Sequence, residues 1–101
     1  MTPRVTLSPR AKGEIEAIDR WWRANRPAAP RLFRQELAAA LDLVVIARRS
    51  GHRYWGSPVP RVRRVLLRST RYHVYYVVRT AEIEVLAVWS AVRGTGPDLR
   101  R

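Results

Sequence analysis

Val62-Arg-Arg-Val-Leu-Leu-Arg68, Tyr72-His-Val-Tyr-Tyr-Val-Val-Arg79 and Ile83-Glu-Val-Leu-Ala-Val-Trp89 crowd β-branched and aromatic residues into three short runs, the composition of strands. The gaps between them, Ser69-Thr70-Arg71 and Thr80-Ala81-Glu82, are too short for crossovers, so the strands form an antiparallel meander. Val74 to Val78 and Val85 to Trp89 are unbroken apolar stretches, whereas a sheet with one wet face alternates apolar and polar residues. Both faces of this sheet therefore want cover. The helices available would cover one of them, and the other is expected to meet a partner.

Upstream of the meander, Arg4-Val-Thr-Leu7 alternates and reads as a short strand joining the same sheet. Ser8-Pro9 then starts a helix, the hydroxyl capping free N–H groups and the proline tolerated in the first turn. Ile15, Ile18 and Trp22 recur on one face, with Ala11 extending the stripe, and Asn25-Arg26-Pro27 ends it. A second helix is expected from about Ala28, carrying Phe33, Leu37, Ala40, Leu41 and Val44 inward, so that the two make an antiparallel hairpin. Trp21 cannot share a face with Trp22. One of the pair is either semi-exposed or covered by another chain.

Residues 48–61 read as a loop broken by Ser50-Gly51, Gly56-Ser57-Pro58 and Pro60, with Tyr54 and Trp55 pinning it to the core. The fold class is thus α+β, an antiparallel sheet packed on an N-terminal helical hairpin. One domain is expected over residues 1–93, followed by a flexible basic tail at 94–101.

Composition narrows the function classes. No apolar run approaches the roughly 18 residues of a membrane span, the first residues lack the apolar core of a signal peptide, and there is no cysteine, so a cytoplasmic protein without disulfides or thiolate metal sites is expected. Twenty Lys and Arg against eight Asp and Glu give a net charge of +12, which predicts a polyanionic partner, whether nucleic acid or an acidic protein. A GC-rich coding bias accounts for part of the same excess, since nineteen of the twenty are arginine and alanine is also abundant.

Catalytic and metal chemistry finds little to build on. His52 and His73 stand apart from other metal-ligand types, Gly94-Thr-Gly96 precedes no helix, and Glu82 and Glu84 read as exposed edge charge. No metal and no cofactor is expected. What stands out is an arginine set around the sheet, Arg61, Arg63, Arg64, Arg68, Arg71, Arg79 and Arg93. Arginine clamps phosphates or carboxylates but is a poor general base, so the set points to binding more than to bond-breaking.

Leu7-Ser-Pro-Arg-Ala11, the run Leu67-Arg-Ser-Thr-Arg-Tyr-His-Val-Tyr-Tyr-Val-Val78, Val85-Leu-Ala-Val-Trp89 and the late Arg93, in this order and spacing, resemble the RelE/ParE superfamily of toxins from type II toxin–antitoxin pairs. The resemblance spans residues 4–93. It implies a βααβββ toxin that arrests growth and is held inactive by an acidic antitoxin wrapped around it.

The superfamily divides by target. RelE-like members cleave mRNA on the ribosome, and ParE-like members poison DNA gyrase. On the nuclease pattern Arg64 matches a basic position, His73 stands where arginine is usual and Arg93 matches the late arginine. Leu66 occupies a second basic position, and no tyrosine follows Tyr76. These departures favour the ParE-like branch, with the ribosome-dependent ribonuclease as the alternative and Arg64, His73 and Arg93 as its catalytic set. Expected target contacts are Arg64, Arg68, Arg71 and Arg93; expected antitoxin contacts are Trp21, Tyr75, Val77 and Trp89.

Overall fold

Seven elements follow one another in a computed structural model that describes residues 2–92 and 96–99. They are β1 (Arg4–Leu7), α1 (Pro9–Asn25), α2 (Leu32–Ile46), β2 (His52–Arg53), β3 (Arg63–Leu67), β4 (Tyr72–Val78) and β5 (Glu82–Ser90). The meander β3-β4-β5 lies where the sequence places it, with antiparallel registers Arg64↔Tyr75 and Val74↔Val88.

Two further strands flank it, giving a five-stranded sheet in the order β1-β5-β4-β3-β2. The sheet is mixed rather than wholly antiparallel, because β1 pairs with β5 in parallel, Val5 opposite Ile83 and Leu7 opposite Val85. The long α1–α2 excursion supplies the crossover that a parallel neighbour requires. β2 lies inside the expected loop. Its two residues pair His52 with Arg64 and Arg53 with Arg63, too short a run to announce itself in composition.

β1 covers only the first half of β5, and α1 completes that edge. Ser8 donates its hydroxyl to the Leu86 carbonyl (2.9 Å) and accepts from the Ala11 N–H (3.0 Å), so one side chain both caps the helix and closes the sheet. Glu14 accepts the Val88 N–H at 2.9 Å. The edge groups that would otherwise template another strand are thereby occupied.

The helical hairpin covers one sheet face. Ala11, Ile15 and Trp22 from α1 and Phe33 and Leu37 from α2 bury Leu67, Val74, Val85 and Val88. Val44 packs nearby with Tyr76 and Ile83. α2 begins at Leu32, four residues later than the sequence suggests, because Pro30 disfavours helical geometry at Ala29, and the intervening residues form turns instead. Asp19, buried on α1, pairs with Arg23 one turn on and with Arg34 across on α2, both at 3.2 Å, so that the second pair ties the two helices.

The opposite face is covered by the chain itself, not left open for a partner. Val59 and Val62 from the loop and Leu99 from the tail bury Tyr75, Val77, Leu86 and Ala87. Tyr75 and Tyr76 alternate along β4, one into each core, and the β4–β5 register shifts there by one residue, leaving Leu86 as the extra residue on β5. Leu99 is 2% exposed, so the described part of the tail, residues 96–99, lies on the sheet rather than free of it. Each of these covering residues stands beside a proline or glycine or in a polar run, which hides it from periodicity arguments.

Glu36 joins α2 to the β3–β4 turn, accepting from Ser69 N (2.7 Å), Thr70 N (2.9 Å) and the Thr70 hydroxyl (2.6 Å). Partial burial works to raise its pKa, but these hydrogen bonds outweigh burial and hold the carboxyl below its ordinary value of 4.5. Its contribution is therefore complete above the unfolded-state pKa and is lost as pH falls through the lower folded-state value. Glu36→Ala is expected to cost about 1.5–3 kcal/mol in urea melts at pH 7. The deficit relative to wild type should shrink as the buffer is acidified through the folded-state pKa.

Candidate interaction surfaces

Arg64 projects from the middle of β3 onto the face that carries Tyr75. Its guanidinium lies 5.2 Å from the Tyr54 ring centroid and 5.9 Å from that of Tyr75, and Nη1 donates to the Tyr75 hydroxyl at 3.3 Å. Tyr54 in turn meets Tyr75 edge-on at 4.9 Å. Arg64 is thus boxed between two aromatic rings. Burial raises the Tyr75 phenol above its ordinary pKa despite the hydrogen bond from Arg64, so Tyr75 stays protonated at neutral pH.

His73 shares this face, opposite Leu66 on β3 and Trp89 on β5. Burial first, and the Arg64 charge second, push its pKa below the ordinary value of 6.5. The imidazole is neutral at pH 7 and lies edge-on to Tyr75 at 6.0 Å. The structure therefore brings Arg64 and His73 together, but with Leu66, 42% exposed, on the strand beside them. Arg93 lies outside the described residues.

Arg68 and Arg71 sit apart from Arg64, exposed at the turn between β3 and β4. Arg68 is four residues further along, roughly 13 Å at strand rise. Arg71 has φ 66°, and its carbonyl accepts from Ala91 N at 2.8 Å. A side chain in this left-handed geometry is uncommon outside glycine and asparagine. The expected target set is therefore a band along β3 and its turn, not one cluster.

The four expected antitoxin contacts divide. Tyr75 and Val77 are buried under Val59, Val62 and Leu99 and present no open surface. Trp21 and Trp89 meet across a groove between α1 and the end of β5, floored by Ile18, Tyr72 and Val88 and rimmed by Val92. Trp21 is 44% exposed and Val92 73%. Trp22 is the buried member of the tryptophan pair, edge-on to Trp21 at 5.9 Å. Arg10 reaches over Trp89 at 5.7 Å and Arg26 over Trp21 at 4.9 Å; Glu14, paired with Arg10, and Ser90 also line the groove, which is otherwise apolar within and carries arginines at its ends.

Trp55 also departs from expectation. Tyr54 anchors the loop, but Trp55 is 77% exposed with Arg53 stacked on it at 4.2 Å. Val92 is the groove-lining residue that sequence reasoning passed over, since it follows the last strand. Among the described residues no group of three His, Cys, Asp or Glu side chains is placed to hold a metal ion. No helix there is long and apolar enough to cross a membrane.

A family model described as the ParE toxin of the type II toxin–antitoxin system parDE matches residues 5–93. No curated protein matches the sequence. Among solved structures, the chromosomal ParDE toxin–antitoxin system from P. aeruginosa superposes with a TM-score of 0.70 at 19% identity, over 88% of this chain and 96% of the other.

Proposed function

Because the chain belongs to the ParE toxin family of type II toxin–antitoxin systems, we propose that this toxin arrests growth by poisoning DNA gyrase in the cytoplasm and that an acidic antitoxin neutralises it. The observation that carries the choice of target is the state of the β3–β4 face. Arg64 is engaged by Tyr54 and Tyr75, and Leu66 stands beside His73 where a second basic side chain would complete a nuclease set. Backbone cleavage of RNA needs a base and an acid poised near neutral pH. That pairing finds little support among these side chains, whereas a band of arginines along β3 and its turn suits recognition of a protein or protein–DNA surface.

Purified toxin is expected to abolish supercoiling by gyrase and to accumulate cleaved DNA, leaving ribosome-bound mRNA intact. mRNA cut at the ribosomal A site, with gyrase unaffected at the same toxin concentration, would overturn the reading in favour of the RelE-like alternative.

The groove holding Trp21 and Trp89 is the surface we assign to the antitoxin, since an amphipathic acidic segment matches an apolar trough with arginines at its ends. Trp21→Ala is expected to weaken the complex by about 30-fold or more, the scale of a tryptophan hot spot. Folding stability should change by less than about 1 kcal/mol, because Trp21 lies outside the core. Titration calorimetry against the antitoxin, paired with a urea melt, separates the two; unchanged affinity would remove the groove from the interface.

A further inference from the structure

At the end of the sheet remote from the β3–β4 turn, five arginines from four separate stretches converge on one cleft. Arg48 and Arg49 follow α2, Arg53 comes from β2, Arg61 precedes β3 and Arg63 lies within it; Val78 is the apolar lining. The cleft has a volume of about 520 Å³. It is distinct from the Arg64–His73 face, because Arg63 and Arg64 point to opposite sides of the strand.

Charge balance in this region is one-sided. Between Asp42 and Glu82 the chain carries nine arginines and no carboxylate. Among the described residues, Arg49, Arg53 and Arg61 make no ion pair, whereas Arg10, Arg23, Arg34 and Arg79 elsewhere in the fold do. Like charges held together at a surface repel one another, a cost that a bound polyanion would relieve.

The arrangement is also held in place. Tyr76, fully buried, donates to the Arg48 carbonyl (2.9 Å) and accepts from Gly51 N (3.0 Å), fixing the segment that carries Arg48 and Arg49. Gly51 is required there by close approach, since a Cβ would lie 2.7 Å from the Tyr76 hydroxyl and 2.8 Å from the Arg64 carbonyl. Arg63 Nη1 donates to the Gly51 carbonyl at 2.7 Å. Arg53 lies over the exposed Trp55 ring.

We propose that this arginine cleft binds the phosphodiester backbone of nucleic acid, with Trp55 beside it as a stacking surface for an unpaired base. Arginine forks match phosphate oxygens, and five of them exceed what a single phosphate can engage. A protein segment would gain little, since docking of peptides draws on apolar burial and Val78 is the sole apolar lining residue. An exposed indole next to guanidinium groups is instead the pairing that single-stranded nucleic-acid sites use. The inference stands apart from the choice of gyrase as target, and binding is measured without gyrase.

A chain of charge +12 binds DNA loosely anywhere, so the test compares two variants of equal charge. The first is Arg49→Gln/Arg53→Gln/Arg61→Gln in the cleft. The second is Lys12→Gln/Arg20→Gln/Arg31→Gln, two on α1 and one at the N-cap of α2. Fluorescence anisotropy with labelled duplex DNA, single-stranded DNA and RNA of one length, each titrated across salt, reads the affinity. The cleft variant should bind at least 30-fold more weakly than wild type, and its logarithmic salt slope on duplex DNA should fall by about 2.7, roughly 0.9 per lost phosphate contact. The helix variant should lose less than fivefold. Trp55→Ala should weaken single-stranded substrates selectively, which would distinguish them from duplex as the preferred source of the phosphodiester. Equal losses in the two triple variants would overturn the proposal, reducing binding to diffuse charge. So would displacement of the nucleic acid from wild-type cleft by poly-glutamate at matched charge concentration. A cleft variant that no longer binds nucleic acid yet still stabilises gyrase-cleaved DNA upholds the site while separating it from the poison mechanism.

Discussion

Trp22→Ala is expected to lower the unfolding free energy by about 3–5 kcal/mol, the usual cost of emptying a large aromatic site in a core. Trp22 is 8% exposed and packs with Ala11, Ile15, Phe33 and Leu37 at the junction of both helices and the sheet, a place where neighbours on three elements cannot all collapse into the space. Domains of this size have about 5–15 kcal/mol in total, so the variant should lose a large fraction of its stability, and its toxicity should fall with its folded population. Trp22→Phe keeps most of the apolar volume. It gives up no hydrogen bond among the described residues, because the indole Nε1 has no partner there. Thermal melts of the two variants side by side check the argument: if Trp22→Phe is as damaging as Trp22→Ala, volume is not what the site requires.

The second large effect comes from one oxygen atom. Tyr76→Phe removes the hydroxyl that serves both the Arg48 carbonyl and the Gly51 N–H, taking this partner from one buried and one part-buried backbone group. Unsatisfied buried groups cost about 1–3 kcal/mol each, so a loss of roughly 2–4 kcal/mol is expected in urea denaturation. The net charge is unchanged. Even so, the segment bearing Arg48 and Arg49 loses its anchor, and affinity for nucleic acid should fall along with stability. Full retention of stability would mean that residues 48–51 are held by something other than this hydroxyl.

Much of this architecture can be read in the chain. Ser8-Pro9 marks the start of α1, Ile15 and Trp22 mark its inner face, and the two three-residue gaps dictate the meander. These signals are local, resting on spacing within one element or one turn. What escapes reading depends on contacts between distant segments. Val59, Val62 and Leu99 cover the second face from loop and tail, so the partner expected for Tyr75 and Val77 is the chain itself. Trp55 is exposed although its neighbour Tyr54 packs inward, a choice that aromatic composition alone leaves open. The arginine cleft gathers Arg48, Arg49, Arg53, Arg61 and Arg63 only once β2 pairs with β3. A two-residue strand carries too little pattern to foresee that pairing. Trp21 is the exception among site residues, since adjacency to Trp22 already forces the pair onto different faces of the helix.

The parallel pairing of β1 with β5 sets an order in time as well as in space. Thr6 donates to Glu82 across a separation of 76 residues, and closing a loop of that length costs about 4 kcal/mol beyond a constant term. The helical hairpin and the meander rest on short-range contacts that form quickly by comparison. As the chain leaves the ribosome, β1 emerges first yet has no neighbour until β5 has been made. The first strand synthesised is therefore the last to find its place, and in the interval it is an unpaired edge on a nascent toxin.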